Sequence, residues 1–224
     1  MSIVKWLTGN LTGGDVASTA RLDAELTQLH SSVAPRIAAG TLRSLAVAST
    51  EPREGRTKVA RLLAEALADN SRERLLLVDA DGHRPRLHEA YQLDPTVGLA
   101  EVLRQEVTLS EAVRPTVRDN LDVLCAGTGS LTVGEAVTRA NVQRMLADAR
   151  ETYEAVVLDT GPLLVAQEAL VVCHSVQGVL LVVLAGETQG EVAAQGHRLL
   201  VRAQAPLLGV VVNDPRGEFV RHDR

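Results

Sequence analysis

Short apolar runs alternate with longer amphipathic segments along most of this chain. The amphipathic segments have the spacing of helices and cover Lys58–Leu67, Ala140–Thr152, Leu164–Cys173 and Glu191–Ala203. The short runs are apolar at consecutive positions, as in strands buried on both faces of a parallel sheet. They cover Leu45–Ala48, Leu75–Val78, Leu121–Cys125, Ala155–Leu158, Val179–Leu184 and Leu207–Val212. The alternation predicts a three-layer α/β domain, in which helices flank a mostly parallel sheet with right-handed crossovers.

The two ends of the chain differ from this alternating region. Residues 1–17 contain three glycines and predict a loose N-terminal arm. Apolar residues at helical spacing predict a helix over Ser18–Val33, which Pro35 and Gly40 would end. The predicted division of the chain is therefore an arm of residues 1–17, a domain of residues 18–214 and a short tail of residues 215–224.

The segment after the first predicted strand has the spacing of a phosphate-binding loop. It comprises T-E-P-R-E-G-R-T at Thr50–Thr57, where the Walker pattern requires Gly, four residues, Gly, Lys and Ser or Thr. In that pattern backbone N–H groups surround the phosphates, the Lys reaches the outer two, and the hydroxyl holds Mg²⁺. Gly55 and Thr57 are kept here, whereas Thr50 replaces the first Gly and Arg56 replaces the Lys. The sequence predicts a P-loop NTPase domain with altered activity, because a planar guanidinium differs in size and shape from an ammonium group.

Three acids follow apolar strands of the predicted sheet. Asp79 and Asp81 come after the second strand, and Asp159 comes after the run Ala155–Leu158. Ligands of such sheets bind outside the carboxyl ends of the strands, where carboxylates can hold Mg²⁺ or accept a proton from an attacking hydroxyl. In the alternative interpretation Asp79 and Asp159 are helix caps or turn acids, and Asp81 is a turn residue.

Composition and charge exclude several classes of function. The 224 residues suffice for one α/β domain, and the net charge of −5 gives no electrostatic reason to expect nucleic-acid binding. The run Val179–Ala185 is far shorter than the ~20 residues that span a bilayer. Cys125 and Cys173 are far apart and lack metal-ligand spacing, which favours a reducing compartment. We therefore expect a cytoplasmic protein that associates with a membrane only through a partner.

Several segments resemble one known family. The most specific is R-L-L-L-V-D-A-D-G-H-R-P-R-L-H at residues 74–88; others are G-L-A-E-V-L, L-S-E-A-V-R-P-T, N-L-D-V-L-C-A-G, Y-E-A-V-V-L-D-T-G-P and L-L-G-V-V-V-N. They are similar to the cytoplasmic domain of the bacterial tyrosine kinases (BY-kinases) of capsule and exopolysaccharide assembly. That family is a branch of the ATPases that include the partition and division-site proteins. The resemblance covers residues 42–213.

The resemblance implies a site for ATP or ADP with Mg²⁺. It assigns nucleotide binding to Arg53, Glu54, Gly55, Arg56 and Thr57 in the loop, and to Asn213 beside the adenine. It assigns the metal to Thr57, Asp79 and Asp159. It assigns catalysis to Asp79, Arg56 and Asp81, with Asp81 as the base that activates a tyrosine hydroxyl.

The chain departs from the family pattern at four places. The family's P-G-E-G-K-S is P-R-E-G-R-T here, and its D-T-P-P is D-T-G-P at Asp159–Pro162. The family's tyrosine-rich tail has no counterpart in residues 219–224. Its oligomerising helix E-x-x-R-x-x-R is represented only by Glu25, Gln28 and Ser31. Nucleotide binding should therefore be weakened, and a monomer or dimer is expected rather than a ring.

These departures lead to the expectation of a degenerate member of the family, with weak or absent ATP hydrolysis. Such a protein would regulate capsule or exopolysaccharide biosynthesis or export by docking on a membrane-embedded polysaccharide co-polymerase or export component. An active tyrosine kinase that acts in trans stays open as the alternative. A partition-type ATPase on DNA is disfavoured, because Glu51 stands where that family has a second lysine near the start of the loop.

Overall fold

A computed structural model describes residues 28–129, 131 and 133–214 of the chain. Its centre is a seven-stranded sheet of order β3-β4-β2-β5-β1-β6-β7, in which every pairing is parallel except β3–β4. The strands are β1 Ser44–Ser49, β2 Leu75–Ala80, β3 Arg114–Pro115, β4 Leu121–Leu124, β5 Ala155–Pro162, β6 Gly178–Leu184 and β7 Leu207–Asn213. The mostly parallel sheet confirms the predicted α/β fold.

Helices cover both faces of this sheet. Their bounds are residues 28–38 for the described part of α1, then α2 Arg56–Asp69, α3 Leu87–Tyr91, α4 Leu99–Leu103, α5 Leu109–Ala112, α6 Arg139–Ala149, α7 Gln167–Ser175 and α8 Gly190–Arg202. The apolar side chains of α1 and α2 form one core with one face of the sheet. Those of α4, α6, α7 and α8 form a second core on the other face. The result is the predicted three-layer arrangement.

The six predicted strands and the four helices predicted after β1 are all present, with ends shifted by a few residues. The pattern did not predict α3, α4, α5 and β3, because elements of two to five residues are too short to show a period. The proposed arm, the tail and the part of the first helix before residue 28 lie outside the described residues.

The end predicted for the first helix was wrong. This helix continues through Pro35 to residue 38, and the chain turns at Gly40, whose φ is 69°. A proline inside a helix costs about 3 kcal/mol because it removes a backbone hydrogen bond. Val33 and Ile37 lie one turn apart on either side of it, and both are buried in the core with α2. Their burial offsets the cost, so the helix is not interrupted.

Strand register brings the polar strand ends together. β5 lies between β1 and β2, with Asp159 beside Asp79 on one side and beside Val47 on the other. The loop after β1, the acids at the end of β2 and the acid in β5 therefore meet at one edge of the sheet, as the sequence predicted. No helix in the described ranges combines the length and the apolar character that crossing a bilayer requires.

Candidate functional site

The loop between β1 and α2 has an unusual backbone that fixes two of its residues. Arg53 and Gly55 both have left-handed backbone angles, with φ of 69° and 88°. The amide nitrogen of Asn213 donates a hydrogen bond of 2.9 Å to the carbonyl oxygen of Glu54. A Cβ atom on Gly55 would lie only 2.0 Å from that amide nitrogen. Gly55 is therefore required by its backbone angle and by the close approach of β7.

The first position of the loop depends on a distant glycine. Thr50 is fully buried, and a Cβ atom on Gly196 of α8 would lie 2.1 Å from the Thr50 hydroxyl oxygen. Glycine inside a helix costs about 1 kcal/mol relative to alanine. Gly196 makes room for the side chain that replaces the first glycine of the Walker pattern. Sequence reasoning missed this pair, although an isolated glycine in an amphipathic helix is a signal of close packing.

Arg56 is the first residue of α2, and its side chain turns toward the strand ends. Its guanidinium forms ion pairs with Asp81 and with Asp159, where the Nε–Oδ1 distance is 3.1 Å. A third contact of 3.3 Å joins its NH1 nitrogen to the hydroxyl oxygen of Ser49. Only 8% of Arg56 is exposed, so these charge-assisted contacts are shielded from water. The guanidinium thus connects the carboxyl ends of β1, β2 and β5.

The carboxylate of Asp79 is occupied by the backbone that follows it. One oxygen accepts a hydrogen bond from the Asp81 N–H, and the other accepts bonds of 2.9 Å from the N–H groups of Arg86 and Leu87. Burial raises the pKa of the Asp79 carboxyl to about 6, although these N–H groups lower it. Asp79 holds the segment that leads into α3, which agrees with the capping alternative.

Asp81 combines a turn role with its ion pair. One carboxylate oxygen accepts hydrogen bonds from the N–H groups of His83 and Arg84, at 3.0 and 3.1 Å. The other oxygen contacts Arg56. A cavity lies next to the loop between β1 and α2, and of the three acids only Asp81 lines it. Its assignment as the catalytic base stays a prediction.

Asp159 is buried like the other two acids. Burial raises the pKa of its carboxyl to about 7, whereas the Arg56 charge and a hydrogen bond from Thr57 lower it. Its Oδ2 atom has no hydrogen-bond partner among the described residues. An unpaired buried acceptor is costly, and protonation of the carboxyl reduces that cost.

The three acids do not fit Mg²⁺ in this arrangement. Mg²⁺ demands near-octahedral geometry and is bound through one or two carboxylates together with phosphate oxygens. Of the carboxylate oxygens of Asp79, Asp81 and Asp159, only Oδ2 of Asp159 lacks a partner in the described structure, and it is buried outside the cavity lining. The metal assignments, including that of Thr57, stay predictions.

A cavity of about 570 Å³ lies above the loop. Its charged lining consists of two acids and four arginines, which are Glu54, Asp81, Arg53, Arg56, Arg84 and Arg86. The Arg53, Arg84 and Arg86 side chains are exposed at the rim. Such a lining attracts anions and offers guanidinium donors to phosphate.

Two residues expected near the nucleotide, Glu54 and Asn213, stabilise the loop through hydrogen bonds. The Glu54 carboxylate accepts hydrogen bonds from the Glu51 N–H, at 2.8 Å, and from the Thr188 hydroxyl. Burial raises the pKa of Glu54 above its ordinary value. Glu54 lines the cavity and Asn213 does not, and their contacts with a nucleotide stay predictions.

Two polar contacts at this edge were missed by sequence reasoning. Ser49 is a partner of Arg56, and its position as the last residue of an apolar strand was the available signal. The Nδ1 atom of His83 lies 2.9 Å from a carboxylate oxygen of Glu168, which is buried at the start of α7. No pattern in the sequence connects these two residues, which are 85 positions apart.

Comparison with known proteins identifies similar sequences. No protein-family model matches the chain. It is 31% identical over 172 residues to a protein named tyrosine-protein kinase YwqD from Bacillus subtilis, a match that covers 77% of this chain and 72% of that protein. It is 28% identical over 180 residues to the succinoglycan biosynthesis transport protein ExoP of Rhizobium meliloti. That match covers 79% of this chain and 23% of ExoP, so the chain spans about a quarter of the longer relative.

Solved structures share the fold. The kinase domain of the Escherichia coli tyrosine kinase ETK superposes with a TM-score of 0.80 at 23% identity, over 90% of this chain and 78% of that domain. The cell-division ATPase MinD of Pyrococcus furiosus superposes with a TM-score of 0.62 at 23% identity, over 76% of this chain and 71% of that protein. These two likenesses concern the fold alone.

The buried ion pairs of Arg56 generate a prediction about stability. Replacement Arg56→Ala should lower the free energy of unfolding by about 3–5 kcal/mol, because it leaves two buried carboxylates without their cation. Urea denaturation followed by circular dichroism in the presence of EDTA measures this difference.

Arg53→Ala is the matched control for this change. It removes an exposed guanidinium from the same loop. Arginine and alanine at position 53 meet the same strain at its positive φ, so the free energy of unfolding should change by less than about 0.5 kcal/mol. Equal stability losses for the two variants would contradict the assigned role of Arg56.

Proposed function

This chain belongs to the bacterial tyrosine-kinase family, and we propose that it is a degenerate member that regulates capsule or exopolysaccharide biosynthesis or export. In this proposal it binds ATP or ADP weakly and hydrolyses little or no ATP. The observation that carries the proposal is the direction of the Arg56 guanidinium, which contacts Asp81 and Asp159.

The position of Arg56 affects catalysis more than binding. Phosphoryl transfer depends on positive groups placed on the outer phosphates, a task that the loop lysine performs in P-loop proteins. Here the cation that replaces this lysine is engaged with two acids. A misplacement of about 1 Å can reduce a rate about a hundredfold, whereas the loop N–H groups still favour an anion. Weak binding without turnover is therefore the expected combination.

The proposed partner is a membrane-embedded polysaccharide co-polymerase or export component. The name of the relative ExoP as a succinoglycan biosynthesis transport protein supports this choice, because most of this chain matches a part of that longer protein. In this proposal the chain works in the cytoplasm and reaches the membrane through that partner.

An active tyrosine kinase that acts in trans is the second candidate. It is favoured by the position of Asp81, which lines the cavity where a substrate hydroxyl would approach. It also agrees with the kinase names of similar proteins. The two candidates differ in one measurable quantity, which is the rate of phosphate transfer from ATP.

The first test is ATP turnover with and without a repaired loop. The wild-type chain should release little or no phosphate from Mg-ATP. The double variant Arg53→Gly with Arg56→Lys should bind Mg-ATP more tightly, because the loop relaxes at its left-handed position and the shorter cation releases Asp81 and Asp159. Calorimetry and a phosphate-release assay measure both proteins, and turnover by the wild type at about 1–10³ s⁻¹, the range of typical enzymes, would support the kinase instead.

A second prediction concerns the two tyrosines. The Tyr91 hydroxyl donates a hydrogen bond of 3.0 Å to Glu65, and the buried Tyr153 donates one of 2.7 Å to Asp122. Burial raises the pKa of both hydroxyls, which makes them poor nucleophiles. The chain incubated alone with Mg-ATP should therefore carry no tyrosine phosphate by mass spectrometry. Addition of a random Glu-Tyr polymer tests transfer in trans, and substantial labelling of Tyr91, Tyr153 or the polymer would contradict the proposal.

A third prediction concerns assembly. Gln28 and Ser31 are exposed on α1, at positions where the family has interface arginines, and they lack the bidentate pairing that Arg offers a carboxylate. The chain should be a monomer or dimer at micromolar concentration by light scattering. Adding both arginines, Gln28→Arg and Ser31→Arg, should promote association, whereas Ala38→Arg on the same helix should not. A ring formed by the wild type would refute the prediction.

A further inference from the structure

We propose that this site binds the phosphate groups of a nucleoside diphosphate without a divalent cation, because the Arg56 guanidinium serves as its resident cation. The inference rests on the proposed function, in which the loop keeps weak nucleotide binding. It goes further by replacing the expected magnesium site with a group that belongs to the chain itself.

The first step of the argument is the occupation of the acids. Arg56 contacts Asp81 through one nitrogen and Asp159 through another, and Asp79 receives three backbone N–H groups. A metal ion would have to displace the guanidinium from two buried carboxylates. Removal of one charged partner from a buried pair is unfavourable, so the acids gain little by exchanging one cation for another.

The second step is the permanence of this charge. Arginine stays protonated at every pH at which proteins are folded, and its planar group can bond two carboxylates at once. The contact to Ser49 at 3.3 Å fixes the remaining edge of the guanidinium. One permanent positive charge thus stands against the carboxylates at the strand ends in the absence of any bound ion.

The third step concerns the arginines whose guanidinium groups can bind phosphate. Within the described residues, the guanidinium groups of Arg53 and Arg84 form no ion pair or hydrogen bond, and that of Arg86 only approaches Glu89 at 3.9 Å. All three side chains line the same cavity as the loop. They can donate to phosphate oxygens in the bidentate manner that arginine favours. A diphosphate would therefore find its counter-charges on the rim of the cavity.

A lysine at position 56 would change this arrangement. Its ammonium group is compact, donates from a single point and cannot bridge Asp81 and Asp159 as the guanidinium does. Both carboxylates would then regain the capacity to hold a hydrated divalent ion beside phosphate. The variant Arg56→Lys should for this reason acquire the metal dependence that the wild type lacks.

The test is calorimetric titration of the full chain with ADP, in EDTA and in MgCl₂. The dissociation constant of the wild type should agree within about twofold between the two buffers, whereas Mg²⁺ should tighten binding to Arg56→Lys about tenfold, the effect of one charge-assisted contact. A tenfold effect of Mg²⁺ on the wild type would overturn the inference, and so would the absence of ADP binding in both buffers.

Two further measurements keep the test independent of how well Arg56→Lys folds. Mn²⁺ alone, titrated into the wild type, should show no saturable binding, and a stoichiometric site would overturn the inference. The variant Arg84→Gln with Arg86→Gln should weaken ADP binding about tenfold in EDTA, whereas Arg202→Gln, an exposed change on α8, should not. Equal effects of the double variant and of Arg202→Gln on ADP binding would refute the role of Arg84 and Arg86 in binding phosphate.

The outcome separates this inference from the proposed function. Metal-dependent ADP binding without ATP turnover would reject the inference and leave the degenerate regulator intact. ATP turnover by the wild type would reject the proposed function, whatever the metal dependence of binding.

Discussion

The bridge that Arg56 forms between Asp81 and Asp159 organises the whole edge of this sheet. Parallel strands bring their carboxyl ends together, and here two neighbouring strands end in acids whose mutual repulsion has to be compensated. In many P-loop proteins a hydrated metal ion supplies that compensation. In this chain a side chain supplies it, and the loop, the turn at Asp81 and the start of α3 are arranged around it.

Much of this architecture follows from the sequence, because it depends on patterns that extend over many residues. Fully apolar runs such as Leu75–Val78 suit strands buried on both faces, and their alternation with helices favours a mostly parallel sheet with its polar ends at one edge. Spacing alone therefore predicted that the loop and the acids would meet.

Side-chain directions could not be predicted in the same way. The Arg56 side chain could face the cavity or the acids, and the sequence of the segment is the same in both cases. The direction depends on local side-chain contacts, such as that with Asp159, which the sequence pattern does not show. The backbone N–H groups that bind Asp79 depend on how residues 81–87 turn. Likewise, Pro35 is tolerated inside α1 because the side chains of Val33 and Ile37 are buried in the core. Likeness of fold is accordingly a weak guide to activity, because the backbone that superposes on the ETK domain also carries the altered loop.

The contact between Thr50 and Gly196 constrains the order in which substitutions can accumulate. The hydroxyl at position 50 occupies the space that a Cβ atom at position 196 would need, and both lie in tightly packed elements. With glycine at position 50, position 196 of α8 can be glycine or alanine. With threonine at position 50, position 196 has to be glycine. An evolutionary path between the two loop forms must therefore pass through the helix glycine. The history of the loop is thus coupled to a residue 146 positions away in the sequence.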